Sequence, residues 1–276
     1  MMYVKTRKGC IAVENHFCNT VSYNGLTIKY AQGPSMQRGN EIHTYHEIVC
    51  FLTGGNILYS EYGQWKIPAQ TLLLIPKYTY HRADFEDESK YRRLVMNFSD
   101  MFAPALFQEL LDDIHIFDNI PENVMQILRR MISAFEQNLP DYKCELIQYS
   151  CFIQLLVELS LQKNPRKAFP VETNPTLASI IAYIDAHLTE PLNENIIAKE
   201  LFISPSTVRV TISRNLNISL HRYIVKKRLM LAQQFIEAEK PPSQVYQKCG
   251  FSDYSAFYRA YKNYFGVPPS HRCNRP

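Results

Sequence analysis

Three histidines and one glutamate in the first third of the chain can bind metal ions or hydrogen-bond a ligand. His43, His46 and Glu47 lie in the segment EIHTYHEIV, and His81 lies in IPKYTYHR. Imidazole and carboxylate groups are common ligands of divalent transition metals. Side chains alternate between the two faces of a strand. His43 and His46, three residues apart, therefore point to opposite faces, and the sequence predicts no metal site.

A second group of residues that can do chemistry is the excess of lysine and arginine near the C-terminus. Residues 203–276 hold 12 basic and 3 acidic side chains, whereas residues 1–171 hold 17 basic and 18 acidic ones. A basic segment behind a neutral one indicates a module that binds a polyanion such as nucleic acid. The alternative is a solvated basic face with no partner.

The composition excludes several other classes of protein. With 276 residues, 46% of them hydrophobic and 12% aromatic, the chain can form two ordinary domains and is neither disordered nor collagen-like. It has no apolar run near the roughly 18 residues that cross a bilayer, and no secretory signal. Seven scattered cysteines without a CxxC pair indicate small buried side chains rather than a zinc ribbon or redox pair. We therefore expect a soluble, cytoplasmic protein.

Short β-prone runs occupy the first hundred residues. Turn residues such as Asn24-Gly25, Gly54-Gly55 and Gly63 separate these runs, and Pro76 ends the apolar strand TLLLI. This pattern predicts a β-sandwich or a small barrel.

Beyond residue 100 the apolar spacing becomes helical. Candidate helices cover 102–114, 121–137 and 144–163. The third has an apolar stripe, which predicts either intramolecular core or the seam of a homodimer near Leu156. The stripe consists of Leu146, Tyr149, Ile153, Leu156 and Leu159.

A proline-rich stretch divides the chain into two parts. Residues 164–175, NPRKAFPVETNP, contain three prolines and no apolar period, so they predict a linker between domains over 1–163 and 176–276. The second domain is helical throughout. Its candidate helices cover 176–188, 193–201, 204–216, 219–240, 243–250 and 253–265.

The C-terminal domain contains an internal repeat with a period of 49 residues. The matching pairs are Ile196 and Val245, Phe202 and Phe251, Ser204 and Asp253, Ser206 and Ser255, Val208 and Phe257, Ile212 and Tyr261, Asn217 and Gly266, and Ile218 and Val267. Each copy is a short helix, a tight turn and a second helix that starts at a good N-cap residue, Ser204 or Asp253. This is the helix-turn-helix arrangement, whose second helix enters the major groove of DNA. The repeat favours DNA binding, and a plain helical bundle is the alternative.

The second copy also carries a family signature. GFSDYSAFYRAYKNYFGVPPSHR resembles the C-terminal signature of the AraC/XylS family of bacterial transcription regulators. The matching residues are Gly250, Phe251, Arg259, Tyr261, Lys262, Phe265, Gly266, Pro269 and Arg272. The resemblance covers roughly residues 175–272 and implies two helix-turn-helix units joined by one long helix. The N-terminal part resembles, more loosely, a cupin-type sensor domain followed by a helical dimerisation segment. The expected fold class is therefore α+β, with a cupin-like β-barrel or sandwich followed by an all-α DNA-binding domain.

The resemblance implies which side chains contact DNA. Base contacts are expected from Ser206, Thr207, Arg209 and Val210 in the first unit, and from Tyr254, Ser255, Tyr258 and Arg259 in the second. Phosphate contacts are expected from Arg214, Lys226, Lys227 and Lys262. The core of the two units is expected to hold Val208, Ile212, Phe257 and Tyr261. Because Val210 stands where the second unit has Arg259, we expect the second unit to read more sequence information.

For the sensor domain, the resemblance implies residues that line or rim a pocket for a small-molecule effector. These residues are His43, Tyr45, His46, Glu47, Tyr78, Tyr80, His81 and Arg82. Ordinary strand-edge histidines are the alternative. The metal-binding cupin pattern, His-x-His followed by Glu, is not matched, so neither a metal nor another cofactor is expected.

These features favour a DNA-binding transcription regulator, and not an enzyme, controlled by a small-molecule effector. Expected partners are promoter or operator DNA, the effector, a second copy of the chain and RNA polymerase, but no membrane. One rival hypothesis, a metal-dependent cupin enzyme with a fused DNA-binding module, fails on ligand spacing. Another, a DNA-repair alkyl acceptor, needs a reactive cysteine with basic support, whereas Cys144 and Cys151 lie on an apolar helix.

Overall fold

A computed structural model describes most of the chain. The described residues are 17–23, 25–33, 41–54, 56–61, 63–85, 91–102, 110–111, 113–137, 139–162, 166–167, 174–238 and 240–270. Most of the predicted linker, most of the predicted helix over 102–114, and Arg272 lie outside them. Within the described residues, no helix is both long and apolar enough to span a membrane.

The N-terminal part is a sandwich of two antiparallel sheets. Its strands are β1 (Phe17–Tyr23), β2 (Leu26–Gln32), β3 (His46–Phe51), β4 (Asn56–Ser60), β5 (Gly63–Ile67), β6 (Thr71–Ile75), β7 (His81–Phe85), β8 (Arg92–Phe98), β9 (His115–Phe117) and β10 (Arg166–Lys167). The larger sheet has the order β1-β2-β8-β3-β6-β9-β10, and the smaller has the order β5-β4-β7. The predicted β-sandwich is thus confirmed. The strands β9 and β10 were not predicted from the sequence.

Side chains that alternate along the larger sheet contribute to two separate cores. On β3, Val49 and Phe51 face the smaller sheet and pack with Trp65, whereas Ile48 and Cys50 face the opposite side. There they meet the helices α1 (Glu122–Glu136) and α2 (Asp141–Ser160). The four cysteines whose side chains are described, Cys50, Cys144, Cys151 and Cys249, are free and buried, as predicted for these positions.

Helix α2 has a buried face and an exposed apolar face. Leu156 and Leu159 are buried in the core of the protomer, so this part of the predicted stripe is intramolecular. Other apolar side chains of the same helix and its end are exposed to solvent. These are Leu146 (64% exposed), Ile153 (37%), Val157 (52%) and Leu161 (68%).

The C-terminal part is entirely helical in the described residues. Its helices are α3 (Pro175–Ala186), α4 (Glu194–Glu200), α5 (Pro205–Leu216), α6 (Leu220–Glu237), α7 (Pro242–Lys248) and α8 (Tyr254–Phe265). The α4–α5 and α7–α8 pairs are the two predicted helix-turn-helix units, joined by α6. Their shared core also contains Ile42 and Tyr80 from the β-rich domain, so the two domains pack directly against each other.

Two glycines with left-handed backbone differ in their surroundings, which generates a stability prediction. Gly250, in the turn before α8, has φ +80°, and a Cβ there would lie 2.8 Å from Arg228 Cζ and 2.9 Å from the Leu188 carbonyl oxygen. Gly266, after α8, has φ +74° with open space around it. We expect Gly266→Ala to cost about 1–2 kcal/mol of stability from backbone strain alone. Gly250→Ala should cost about 2–4 kcal/mol because a clash adds to the strain. Urea unfolding of both variants tests this, and equal costs would contradict the steric argument.

Candidate nucleic-acid interface and sensor site

The two recognition helices are equivalent in length and in how they begin. α5 and α8 are 12 residues each and start 49 residues apart. The Ser204 hydroxyl accepts a hydrogen bond from the backbone N–H of Thr207 at 3.0 Å. The Asp253 carboxylate accepts one from the N–H of Ala256 at 2.8 Å. Each cap satisfies an otherwise free N–H and fixes the orientation in which the helix leaves the turn.

The side chains predicted to contact bases lie on the outer faces of these helices. The exposed ones are Ser206, Thr207, Arg209, Val210, Tyr254, Ser255 and Arg259, and Tyr258 is partly buried. The core-facing residues Val208, Ile212, Phe257 and Tyr261 are fully buried, as predicted. Arg209 Nη1 lies 3.2 Å from Glu194 Oε1. Among the described residues, Arg259 makes no ion pair and remains open to a base.

The four predicted phosphate contacts fall into two groups. Arg214 and Lys262 are exposed. Lys226 and Lys227 instead face the β-rich domain from α6. Lys227 Nζ lies 3.4 Å from Glu61 Oε1 and 3.0 Å from Asp185 Oδ1.

Aromatic side chains extend this contact between the domains. Lys226 Nζ lies 5.9 Å from the ring centre of Tyr80 and 5.6 Å from that of Tyr264, distances typical of cation–π contacts. The Tyr80 hydroxyl donates to the Leu216 carbonyl at 2.7 Å, and its ring packs edge-on against Tyr223. The Tyr264 hydroxyl donates to the Ile42 carbonyl. We call this surface, formed by Ile42, Glu61, Tyr80, Tyr223, Lys226, Lys227 and Tyr264, the domain joint.

Glu61 is the most buried charged group of the domain joint, 3% exposed. It accepts a hydrogen bond from the Tyr223 hydroxyl at 2.7 Å. Burial raises the pKa of Glu61, although Lys227 and Tyr223 act in the opposite direction. Burial also tends to lower the pKa of Lys227, but Glu61 and Asp185 outweigh it and raise that pKa. Tyr223 and Lys227 thus favour the charged form of the Glu61 carboxylate, while Glu61 and Asp185 favour the charged form of the Lys227 ammonium.

The eight residues predicted to line one effector pocket lie in separate places. Tyr78 and Tyr80 pack against the helical domain. His46 faces the opposite way, with Nε2 2.9 Å from Asp100 Oδ1. Arg82 pairs with Asp84 and lies over the Tyr59 ring.

Of the remaining members, His43, Glu47 and His81 form a buried cluster, and Tyr45 is partly buried beside it. His43 Nε2 and His81 Nε2 lie 3.0 Å and 3.1 Å from the same oxygen, Glu47 Oε2, and Tyr45 stacks on His43. Burial alone would raise the pKa of Glu47, but hydrogen bonds from the two imidazoles hold that pKa well below its usual range. Burial would lower the pKa of His81, but Glu47 raises it overall.

Glu41, which the sequence analysis missed, completes the cluster. Its backbone pairs with that of His81, with N···O distances of 2.8 and 2.9 Å. One carboxylate oxygen of Glu41 lies within 4.8 Å of the donor atoms of His43, Glu47 and His81. The odd-numbered spacing of 41, 43 and 47 along an extended segment was a usable signal, because odd positions share a face. We call Glu41, His43, Glu47 and His81 the His–Glu cluster.

Two cavities of different size lie near these residues. Beside the His–Glu cluster is a cavity of about 30 Å³, lined in part by Arg82 and Arg93, which has room for one or two waters. A groove of about 780 Å³ lies between α6 and the ends of α5 and α8. In this conformation, the sensor cavity is too small for an organic metabolite.

A β-sandwich packed on paired helix-turn-helix units defines a class of protein, the DNA-binding transcription regulators with a ligand-sensing domain. Two family models match the chain on both counts: an AraC-like ligand binding domain over residues 24–146 and a helix-turn-helix domain over residues 197–274. The chain belongs to the AraC family of transcriptional regulators. The recognition from its sequence signature and the expected α+β fold class are confirmed.

Curated relatives cover most of the chain. It is 27% identical over 237 residues to "Probable transcriptional regulator LumQ" of Photobacterium leiognathi, covering 83% of this chain and 89% of that one. It is 22% identical over 240 residues to the HTH-type transcriptional activator RhaS of Escherichia coli, covering 82% and 84%. A solved structure of ToxT from Vibrio cholerae is 14% identical, with a TM-score of 0.40 and coverage of 90% and 94%.

The domain joint generates a prediction about Glu61. Glu61→Gln keeps the size of the side chain but removes the charge that Lys227 faces, so it should lower the free energy of unfolding of the intact chain by about 2–4 kcal/mol. Glu122→Gln is the matched control. Glu122 pairs with Arg129 at 2.6 Å, with both side chains about 60% exposed, so its loss should cost under about 1 kcal/mol. Urea titration of both variants measures the difference, and a neutral Glu61→Gln would show that the buried pair does not hold the domains together.

Proposed function

We propose that the chain is a sequence-specific regulator whose α5 and α8 read successive segments of the DNA major groove. The observation that carries the proposal is the pair of 12-residue helices at a 49-residue offset, each capped, with a buried inner face and an exposed polar outer face. A major groove about 12 Å wide admits such a helix. Exposed Arg214 and Lys262 would add phosphate contacts, which give affinity without sequence information.

The two units should contribute unequally to sequence reading. Arg259 can donate two hydrogen bonds to one guanine, whereas Val210, at the equivalent position, offers only an apolar contact such as that with a thymine methyl. Arg209 is an exposed neighbour of Val210, but it is paired with Glu194. The half-site read by α8 should therefore hold more of the sequence preference.

This proposal predicts different defects for two basic residues of α8. Arg259→Ala should cost about 1–3 kcal/mol on the best operator and relax the preference at one or two base pairs. Lys262→Ala should weaken all sequences about equally and reduce the salt dependence by roughly one ion. Binding to a randomised site library at two salt concentrations separates the two effects. A uniform loss of affinity with Arg259→Ala, with the preference unchanged, would withdraw the base-reading role of Arg259.

The domain joint can couple ligand binding in the sensor domain to the affinity of the helical domain for DNA. It holds Lys226 and Lys227 of α6 against Tyr80 and Glu61 of the β-rich domain. While the joint is closed, Lys227 is held by Glu61 and Asp185 and is not available to phosphate, whereas Lys226 is partly buried and lines the groove beside α6. A ligand that changes the stability of the joint would thereby change the affinity for DNA, because a ligand shifts an equilibrium by its differential affinity for the two states.

The exposed apolar face of α2 supports a homodimer. Leu146, Ile153 and Val157 recur at seven- and four-residue spacing on one side of the helix and are exposed in the single chain. A second copy would cover the same stripe by two-fold symmetry. Two linked DNA-binding domains also gain affinity for paired sites through effective concentration.

The dimer predicts the effect of placing charge on this face. The double variant Leu146→Glu with Val157→Glu should sediment as a monomer at micromolar concentration. The two introduced carboxylates of one chain would repel those of the other chain across the two-fold axis. Gln126→Glu, which adds charge at an exposed position of α1, should leave the oligomeric state unchanged. An unmodified chain that sediments as a monomer with and without DNA would remove the proposed dimer.

We further propose that the chain acts as a regulator rather than as an enzyme, and that it meets DNA and RNA polymerase in the cytoplasm. This proposal is supported by the relatives described above, which are named as transcriptional regulators. The alternative of a metal-dependent enzyme with a DNA-binding module has no observation in its favour beyond the His–Glu cluster itself.

A further inference from the structure

Four side chains that can bind metal converge inside the β-rich domain from three segments of the chain. The donor atoms of Glu41, His43, Glu47 and His81 all lie within 4.8 Å of one another. His43, Glu47 and His81 are each less than 9% exposed. Burying the Glu47 carboxylate with two imidazoles, beside the partly buried Glu41, is costly unless opposite charges are paired or a cation is shared.

The orientation of the two imidazoles is that of metal ligands. His43 Nδ1 lies 2.7 Å from the Tyr45 carbonyl oxygen, and His81 Nδ1 lies 3.1 Å from that of Thr79. A carbonyl oxygen can only accept, so each Nδ1 carries a proton and each Nε2 is the atom that faces the Glu47 carboxylate. Each Nε2 can either donate to Glu47 from a charged ring or, in the neutral ring, offer its lone pair to a cation bound beside that carboxylate. A backbone carbonyl that holds the second nitrogen of a histidine is the usual outer-shell partner of a metal-bound imidazole.

The spacing and the available space also fit one small ion. Ligands about 2.0–2.1 Å from a four-coordinate ion are about 3.3 Å from each other. The two Nε2 atoms lie 3.0 and 3.1 Å from Glu47 Oε2, so only small shifts would admit the ion. The adjoining cavity of about 30 Å³ has room for a water ligand, but not for an organic effector.

We propose that the His–Glu cluster binds one divalent first-row transition-metal ion, of the zinc or iron(II) class, and that this ion stabilises the closed domain joint. Two imidazoles with two carboxylates are a donor set suited to these ions. The sequence argument against a metal compared His43 with His46, and the structure does separate those two. The cluster uses different partners, which the chain brings together only when folded.

The cluster lies directly beneath the domain joint. Ile42, between Glu41 and His43, packs in the core shared with the helical domain, and its carbonyl accepts from Tyr264. Tyr80, next to His81, donates to Leu216 of α5. An ion that ties Glu41 and His43 to His81 would therefore fix the two segments on which the helical domain rests. This part of the inference depends on the proposed function, since it concerns the availability of Lys227 to DNA.

The metal site is tested on the full chain purified without chelators. Inductively coupled plasma mass spectrometry should find about one equivalent of a transition metal per chain. After removal of the metal by a chelator, Zn²⁺ alone should bind with one-to-one stoichiometry in calorimetry and raise the melting temperature. The double variant His43→Gln with His81→Gln should lose both signals. His46→Gln, a buried histidine of the same domain that faces Asp100, should retain them.

Two results would overturn the site. The first is a folded chain without metal whose melting temperature does not change on addition of Zn²⁺, Mn²⁺ or, under anaerobic conditions, Fe²⁺. The cluster would then be a network of ion pairs between charged imidazoles and carboxylates. The second is equal binding by the His43→Gln, His81→Gln double variant, which would mean adventitious surface binding. Circular dichroism of each variant confirms that loss of metal is not loss of fold.

The link to the domain joint is tested by binding of selected operator DNA to the metal-free and Zn²⁺-loaded chain. We expect the loaded chain to bind about 5-fold or more weakly, and Glu61→Gln to reduce that difference to less than about 2-fold, because the joint is already weakened. Equal affinity of the loaded and metal-free chains would overturn the link while leaving the site. Failure of both forms to bind any DNA sequence would instead overturn the proposed function, and metal content would still report on the site.

Discussion

The packing of the β-rich domain on the helical domain buries one carboxylate, that of Glu61, between them. Glu61 loses its water when the domains meet, and Tyr223 and Lys227 replace that water with one hydrogen bond and one opposite charge. A buried charge without such partners costs several kcal/mol. A misaligned closure would leave Glu61 buried without these partners, so the carboxylate favours the orientation that the structure shows. The apolar burial of Ile42 and Tyr80 has no such directional preference, although hydrogen bonds at the Ile42 carbonyl and the Tyr80 hydroxyl add to it.

The helix-turn-helix units were predictable because their signals are local. An N-cap acts within three residues, and the apolar spacing that fills each core lies inside one helix, so the predicted segments 204–216 and 253–265 match α5 and α8 to within one residue. The position of Lys227 was not predictable in this way. Its carboxylate partner in the β-rich domain, Glu61, is 166 residues away in the sequence, and no local pattern shows that a basic helix position will be covered by another domain.

In the sensor domain as well, local sequence patterns predict the strands but not the contacts between distant residues. The sandwich follows from alternating residues and turn signals, and it was predicted. Which polar residues meet inside it depends on strand register and on the second sheet: Glu47 faces His81 because both point between the sheets, whereas neighbouring His46 faces the other way. Eight residues chosen by proximity in sequence and by residue type therefore separate into several groups. They are a buried cluster, an arginine that lines the cavity beside it, a contact between the domains and a histidine that faces Asp100.

The core shared by the domains has a consequence for synthesis of the chain. Tyr80 and Ile42 are covered by partners 136 and 222 residues later in the sequence. At about 5–20 residues per second, the ribosome takes roughly 7–45 s to deliver those partners. The sandwich can complete its own two cores during this time, but the patch around Ile42 and Tyr80 stays uncovered. On each translating messenger RNA, successive nascent chains present this same apolar patch to one another and to chaperones until the helical domain emerges.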